Sequence, residues 1–399
     1  MSTSYLPSIG SCRKIKLALI ILGALASPAV SAGDSFDDIV AGVLASDPAF
    51  KAERLRMAAE IETLRAENSL ENPEVDFGYK WGQGSTHENK WEISVSQSFD
   101  WPGVYASRRR AIHSRQMAAE ASLRAWRNAR GAEIRKLLVD YVSARRRLRI
   151  NEEYSRNVDS VYAFSERMYE KRQLTVLDYR KARIERELAR ARVTEAQAVL
   201  KSCEAGIRAL AGGETVDLTG LDEYPSSLLP DSELAESPRL GAAKWNILAA
   251  EADAQAASRS LFPGFSVGYV HEVEGSEHFN GISVGLTLPV WKGRKEKIAA
   301  KILAEASAEN AEMTRREILA AMEAGRGEAL ALDSKASDLE RALGDGQEYR
   351  ALLDRSLEGG AITFFQYLDE LNLLLDANLT VEELRAKAAS IREEIRGKL

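Results

Sequence analysis

The chain repeats itself at long range. The segment Asn72-Pro73-Glu74-Val75-Asp76-Phe77-Gly78-Tyr79 recurs 190 positions later as Phe262-Pro263-Gly264-Phe265-Ser266-Val267-Gly268-Tyr269. Pro48 with Pro238, and Trp101 and Gly103 with Trp291 and Gly293, keep the same offset. Solenoid and propeller units run to only ~20–50 residues. Each copy is therefore a structural unit in its own right, and any fold must accommodate two of them.

The residues after each proline read as strands. Val75, Phe77, Tyr79 and Trp81 alternate with Glu74, Asp76, Gly78 and Lys80, and Trp91, Ile93, Val95 and Phe99 with Glu92, Ser94, Ser96 and Ser98. The second copy does the same: Phe265, Val267 and Tyr269 alternate with Ser266 and Gly268, and Ile282, Val284, Leu286 and Leu288 with Ser283, Gly285 and Thr287. A period of two places every large apolar side chain on one face. Polar, glycine-bearing stretches at 82–89 and 272–280 read as hairpin tips. The predicted strands cover about 74–82, 90–99, 264–272 and 281–289, long enough for tilted strands to cross a bilayer. Four strands are too few to close a membrane barrel. Three chains supply twelve, an even number with natural cyclic closure.

The remainder reads as helix. No proline interrupts 103–224 or 290–399, and both stretches are rich in Ala, Leu, Glu, Arg and Lys, the strong helix formers. Tyr154, Val158, Val161, Ser165 and Met168 follow alternating steps of four and three, the spacing of a packed seam. Breaks near 171–174 and 358–363 read as reversals of direction. The predicted helices are about 36–70, 104–171 and 175–211 in the first copy, and 236–261, 292–357 and 363–397 in the second. The longest of each set extends about 100 Å at 1.5 Å per residue. Two shorter helices stacked end to end match the length of the long one beside them. The resulting division is a leader at 1–32, a first repeat at 33–211, a linker at 212–235 and a second repeat at 236–399.

Compartment follows from the first residues. Arg13, Lys14 and Lys16 precede the apolar run Leu17 to Leu25, and Val30-Ser31-Ala32 supplies a small-residue cleavage site, the pattern of a secretory signal. The run is shorter than the ~20 residues of a spanning helix. Cys12 lies before it and not at the cleavage point, so no lipid anchor is expected. Cys203 then remains as the one cysteine of the mature chain. It has no disulfide partner and no cysteine cluster for a metal. The whole chain carries 54 Lys+Arg against 60 Asp+Glu; losing three leader bases brings the mature charge to about −9. That balance and secretion both argue against nucleic acid.

With these residues in place, the chain resembles the TolC family of outer-membrane channels over almost its whole mature length. The resemblance rests on the paired strand starts Asn72-Pro73 and Phe262-Pro263, and on the strand exits at 93–103 and 282–291. The helix reversals Leu174-Thr175-Val176-Leu177-Asp178-Tyr179 and Ile362-Thr363-Phe364-Phe365-Gln366-Tyr367-Leu368-Asp369 complete it. The first exit, followed by Arg108 to Arg110, is most similar to the heavy-metal (cobalt-zinc-cadmium) efflux branch. The resemblance implies a mainly α protein with a membrane β-barrel part. In the homotrimer a twelve-stranded barrel is continued by a helical barrel, in the outer membrane of a Gram-negative bacterium. It implies a passive efflux duct working with a periplasmic adaptor and an inner-membrane pump of the RND type. It also implies a periplasmic gate just after the second reversal, where Asp369 matches one carboxylate position of the family and Gln366 occupies the other. Asp178 is the counterpart in repeat one. Phe77, Tyr79, Trp81, Trp91, Phe99, Phe265 and Tyr269 would then face lipid.

Other clusters carry less. His87, His271 and His278, near Glu272, Glu274 and Glu277, are too irregularly spaced for a metal set and read as polar loop residues. Arg108–Arg110 and Arg145–Arg147 read as salt-bridging and headgroup contacts. Asp100 and Glu92 share a hairpin strand without a convergent His, Cys or Ser, and no Gly-rich phosphate loop ends in Lys-Ser/Thr. Neither an enzyme nor a bound cofactor is expected. The alternative is a secreted or periplasmic coiled-coil adaptor or structural protein, which would explain the helices and leave the four aromatic-bearing strands unexplained.

Overall fold

The computed structural model describes residues 36–82, 88–225, 237–289, 293–344 and 346–399. The predicted leader, His87 and part of the predicted linker lie outside the described residues. Along the chain run α1 (Phe36–Ser46), α2 (Pro48–Glu67), β1 (Glu74–Lys80), β2 (Lys90–Phe99), α3 (Pro102–Glu170) and α4 (Val176–Leu210). There follow α5 (Pro238–Arg259), β3 (Gly264–Glu274), β4 (Glu277–Thr287), α6 (Gly293–Leu343), α7 (Gly346–Glu358) and α8 (Phe364–Lys398).

Local chemistry explains where these elements begin. Proline opens α2, α3 and α5, where its missing N–H is no loss. Asp47 caps α2 by accepting from Ala49 N at 2.9 Å, and Ser237 caps α5. The continuous helix expected over 36–70 is therefore two helices, because Asp47 and Pro48 end one and start the next. The helix expected over 292–357 is also divided: Gly344 has φ +62°, a left-handed conformation that ends α6 cheaply for glycine.

The helices form four columns side by side. Ile39, Val40, Val43 and Leu44 of α1 pack with Ile134, Leu138 and Val142 of α3 and Ile207 of α4, so α1 sits where the end of α4 arrives beside the middle of α3. In the second half, Ile395 of α8 packs on Ile318 of α6, and Arg239 of α5 pairs with Glu317 of α6 at 3.7 Å. Hence α5 and α8 meet end to end beside α6, and both also pack on α3. The seam of α3 is buried at Tyr154, Val158, Val161 and Ser165. Buried apolar surface of this kind, at ~25 cal/mol per Å², holds the columns together. The segment after α4 lies against α3 and α8: Arg146 donates to Asp222 O at 2.8 Å, and Tyr224 hydrogen-bonds to the buried Glu382.

The strands form one antiparallel sheet in the order β1-β2-β3-β4. β2 pairs with β3 from Lys90↔Glu274 to Phe99↔Phe265, which stitches the two repeats together and, among the described residues, leaves β1 and β4 with unpaired edges. The β3–β4 hairpin reaches further than the alternation of apolar residues indicated. Pairing continues through His271↔Asn280, Glu272↔Phe279 and Val273↔His278 to Glu274↔Glu277, so the loop is the two residues Gly275-Ser276 and not 272–280. The ladder of backbone hydrogen bonds persists where the side chains stop alternating, and hydropathy records only the side chains.

Candidate functional site

Two regions carry the residues singled out in the sequence: the sheet and the opposite, hairpin-like tips of the helices. Register sorts the sheet into two faces. Phe77 pairs with Ile93, Tyr79 with Trp91 and Val75 with Val95, while Phe99 pairs with Phe265 and Val95 with Tyr269. Val267, Ile282, Val284 and Leu286 share that face. It is apolar and bare; Ile282 is 80% and Phe77 67% exposed. Aromatic contacts line it, with Phe99 stacked on Phe265 at 5.3 Å and Tyr79 edge-on to Trp81 at 5.4 Å. The other face carries Glu74, Asp76, Lys80, Glu92, Ser94, Ser96, Ser283 and Thr287. There Lys90 pairs with Glu272 and, at 3.7 Å, with Glu274. A side chain at Gly268 would place its Cβ 2.9 Å from Val95 O. Only glycine fits. Val270 and Phe279 also belong to this polar face; Phe279 lies in the stretch expected as loop, so its side is set only by the longer pairing of β3 and β4.

The tips reverse direction in the same way in both repeats. After α3, Arg172 takes φ 58°, and Gln173 N donates to Met168 O at 2.9 Å. After α7, Gly360 takes φ 68°, and Ala361 N donates to Ser356 O at 2.9 Å. Thr175 and Thr363 then cap α4 and α8. Asp178 and Gln366 occupy the third helical position of each. Asp178 N donates to Thr175 Oγ1 at 3.2 Å while its carboxylate accepts from that hydroxyl at 2.6 Å. Gln366 N donates to Thr363 Oγ1 at 3.2 Å, and Gln366 Oε1 accepts from Thr363 N at 2.8 Å, closing a capping box. Two of the three gate candidates, Asp178 and Gln366, thus serve as helix-start residues. Three residues on, the equivalent positions are Lys181 and Asp369, and these pair with each other at 3.2 Å. Lys181 also lies 4.0 Å from the centre of the Phe365 ring, a cation–π contact.

Further links tie the tips together. Tyr154 Oη shares its one proton between Glu185, at 2.7 Å, and Asn372 Oδ1, at 2.9 Å, Arg192 donates to Asn372 at 3.3 Å, and Arg350 donates to Asn157. Within α7 and α8, Tyr367 donates to Asp354 at 2.5 Å and Tyr349 to Glu370 at 2.8 Å. Burial, and then the hydrogen bond to a carboxylate, push the Tyr154 and Tyr367 hydroxyls well above the usual phenol range. They remain donors. The two hairpins of helices are therefore joined across the repeats by the hydrogen bonds of Tyr154, Arg192 and Arg350 to asparagine side chains as well as by the exposed Lys181–Asp369 ion pair.

A bare apolar face backed by a polar one, mounted on columns of helices about 100 Å long, defines a membrane duct with a helical extension. The sequence profile of the outer membrane efflux protein family matches residues 40–213 and 229–398, and the chain belongs to that family. Solved structures of the same shape include the CusC channel, at TM-score 0.76 and 18% identity, covering 91% of each chain. A membrane protein of Pseudomonas aeruginosa matches at TM-score 0.78 and 18% identity, over 92% of this chain and 93% of its own. The VceC outer membrane protein of Vibrio cholerae matches at TM-score 0.72 and 15% identity, over 91% of this chain and 95% of its own. No curated protein matches the sequence significantly. The chain's place is the outer membrane, where it serves as the exit duct of a tripartite efflux pump.

Proposed function

We propose that three copies close into a twelve-stranded barrel continued by twelve helical columns, with Phe77, Tyr79, Trp81, Trp91, Phe99, Phe265 and Tyr269 against lipid and the polar face around the lumen. One observation carries this reading: among the described residues the sheet has a bare apolar face and two unpaired edges, at β1 and β4. Unpaired backbone groups are intolerable in hydrocarbon, and closure removes them. The four-column unit has matching open sides. Leu55, Ile184 and Leu188 are exposed on α2 and α4, and Ile298, Ile302 and Leu330 on α6, apolar surface that neighbouring copies would cover.

The duct opens and closes at the helical tips. Asp369 supplies the aperture carboxylate, with Gln366 and Asp178 beside it at the helix starts, and Lys181 holds the Asp369 charge in check. The two repeats, 33–211 and 236–399, each supply one hairpin and one set of columns, joined by the linker 212–235. A periplasmic adaptor and an RND-type inner-membrane pump load the duct; similarity of the first strand exit to the heavy-metal branch favours metal-ion cargo. Electrical recording from the purified chain in planar bilayers tests the core of the reading. Discrete conductance steps from a heat-modifiable trimer are expected, and recovery as a monomer in the soluble periplasm would refute it.

A further inference from the structure

The outer end of the β3–β4 hairpin breaks the pattern of the apolar face. In the row Phe77, Ile93, His271, Asn280 the first two residues are apolar and the last two polar, and the row Tyr79, Trp91, Val273, His278 ends in histidine. A row crosses three strand spacings, about 14 Å, and strands tilted by about 45° raise one end of it by about 10 Å relative to the other. The change from apolar to polar along both rows points to the β4 end as the raised one, which puts the upper part of this hairpin at headgroup depth, on the membrane side.

The polar residues there form one cluster. Tyr269 donates to Asn280 Oδ1 at 2.5 Å, and His271 Nδ1 lies 2.9 Å from the same oxygen. The His271 ring stacks on His278 at 5.8 Å and meets the edge of Trp91 at 5.5 Å. With its oxygen so occupied, Asn280 has its amide N–H groups left to offer. The acidic residues of this hairpin, Glu272, Glu274 and Glu277, stand on the opposite face by register, and Lys90 pairs with the first two. No carboxylate of the described hairpin strands competes on the membrane face.

We propose that Tyr269, His271, His278 and Asn280 form a membrane-side site for the phosphorylated sugar headgroup of an outer-leaflet glycolipid. Amide and imidazole N–H donors take phosphate and sugar oxygens, and Trp91 and Tyr269 supply the amphipathic rings of an interfacial belt. The site rests on the reading of this face as lipid-facing. Native mass spectrometry of the detergent-purified full chain, with bisphosphorylated lipid A or phosphatidylglycerol added, tests it. The intact protein should retain lipid A preferentially. A variant combining His271→Ala, His278→Ala and Asn280→Ala should lose about tenfold of that retention, while Glu272→Gln on the opposite face keeps it. Equal retention of lipid A by intact protein and triple variant, or no preference over phosphatidylglycerol, overturns the site. Insertion into phospholipid vesicles is measured in parallel; failure there by the unaltered chain would overturn the underlying face assignment instead.

Discussion

Replacing Val284 by arginine puts the face assignment to a quantitative test. Val284 is 76% exposed and is the middle one of the apolar residues Ile282, Val284 and Leu286 on β4, opposite Val267. An arginine on the lipid side of a barrel costs about 2–4 kcal/mol at the bilayer midplane. Three copies on separate sides of one barrel act independently, so the assembled duct loses about 6–12 kcal/mol. Ser283→Arg moves the same charge by one residue onto the polar face, where water solvates it, and should cost about 1 kcal/mol or less. Folding into phospholipid vesicles across a urea series, read by heat-modifiable mobility on gels, measures both. The Val284→Arg midpoint should fall far below that of the parent and Ser283→Arg should stay close to it. Equal midpoints for the two variants would refute the assignment of faces, since burial in lipid is the sole difference argued between them.

Other outcomes follow from the helices. Lys181→Ala removes the partner of Asp369 and should strengthen block by divalent cations in single-channel recordings, whereas Asp369→Ala should weaken it; an unchanged block in both would place the pair away from the aperture. Asp47→Ala removes the α2 cap, about 1 kcal/mol. It also removes the partner of Arg130, at 2.6 Å, where retention of Glu133 limits the further loss to about 1–2 kcal/mol. A denaturation midpoint unchanged from the parent would contradict that joint. Burial raises the Asp140 carboxyl above its ordinary value, against a smaller opposing effect of Lys136. A folded value above the unfolded one means stability falls as pH rises through that interval, so Asp140→Asn should raise stability at neutral pH and flatten its dependence on pH above the ordinary carboxylate value of about 4. Loss of stability in Asp140→Asn at every pH would show that the carboxylate has an unrecognised partner.

Much of the architecture was legible in the residues themselves. Side-chain periodicity is a local property, so alternation about Phe77 or Val284 identified strands and their faces, and uninterrupted helix formers between Pro102 and Glu170 gave a helix of nearly the observed length. Proline and glycine marked breaks, yet the break at Asp47-Pro48 was missed because helix formers continue on both sides of it. The segment 272–280 reads as loop in the sequence because its pairing is maintained by the backbone of β3 and β4, while its side chains do not alternate in hydropathy. The gate candidates were located by their place after the reversals, but their partners were not. Lys181 and Asp369 hold equivalent positions in the two repeats, and nothing local relates them. Only the packing of α4 and α8 brings the two charges to 3.2 Å. The sequence by itself determined which residues share a face and where the chain turns, because those depend on near neighbours. The tertiary structure decided that β2 joins β3 and that Lys181 meets Asp369, because such contacts exist only once distant columns are side by side.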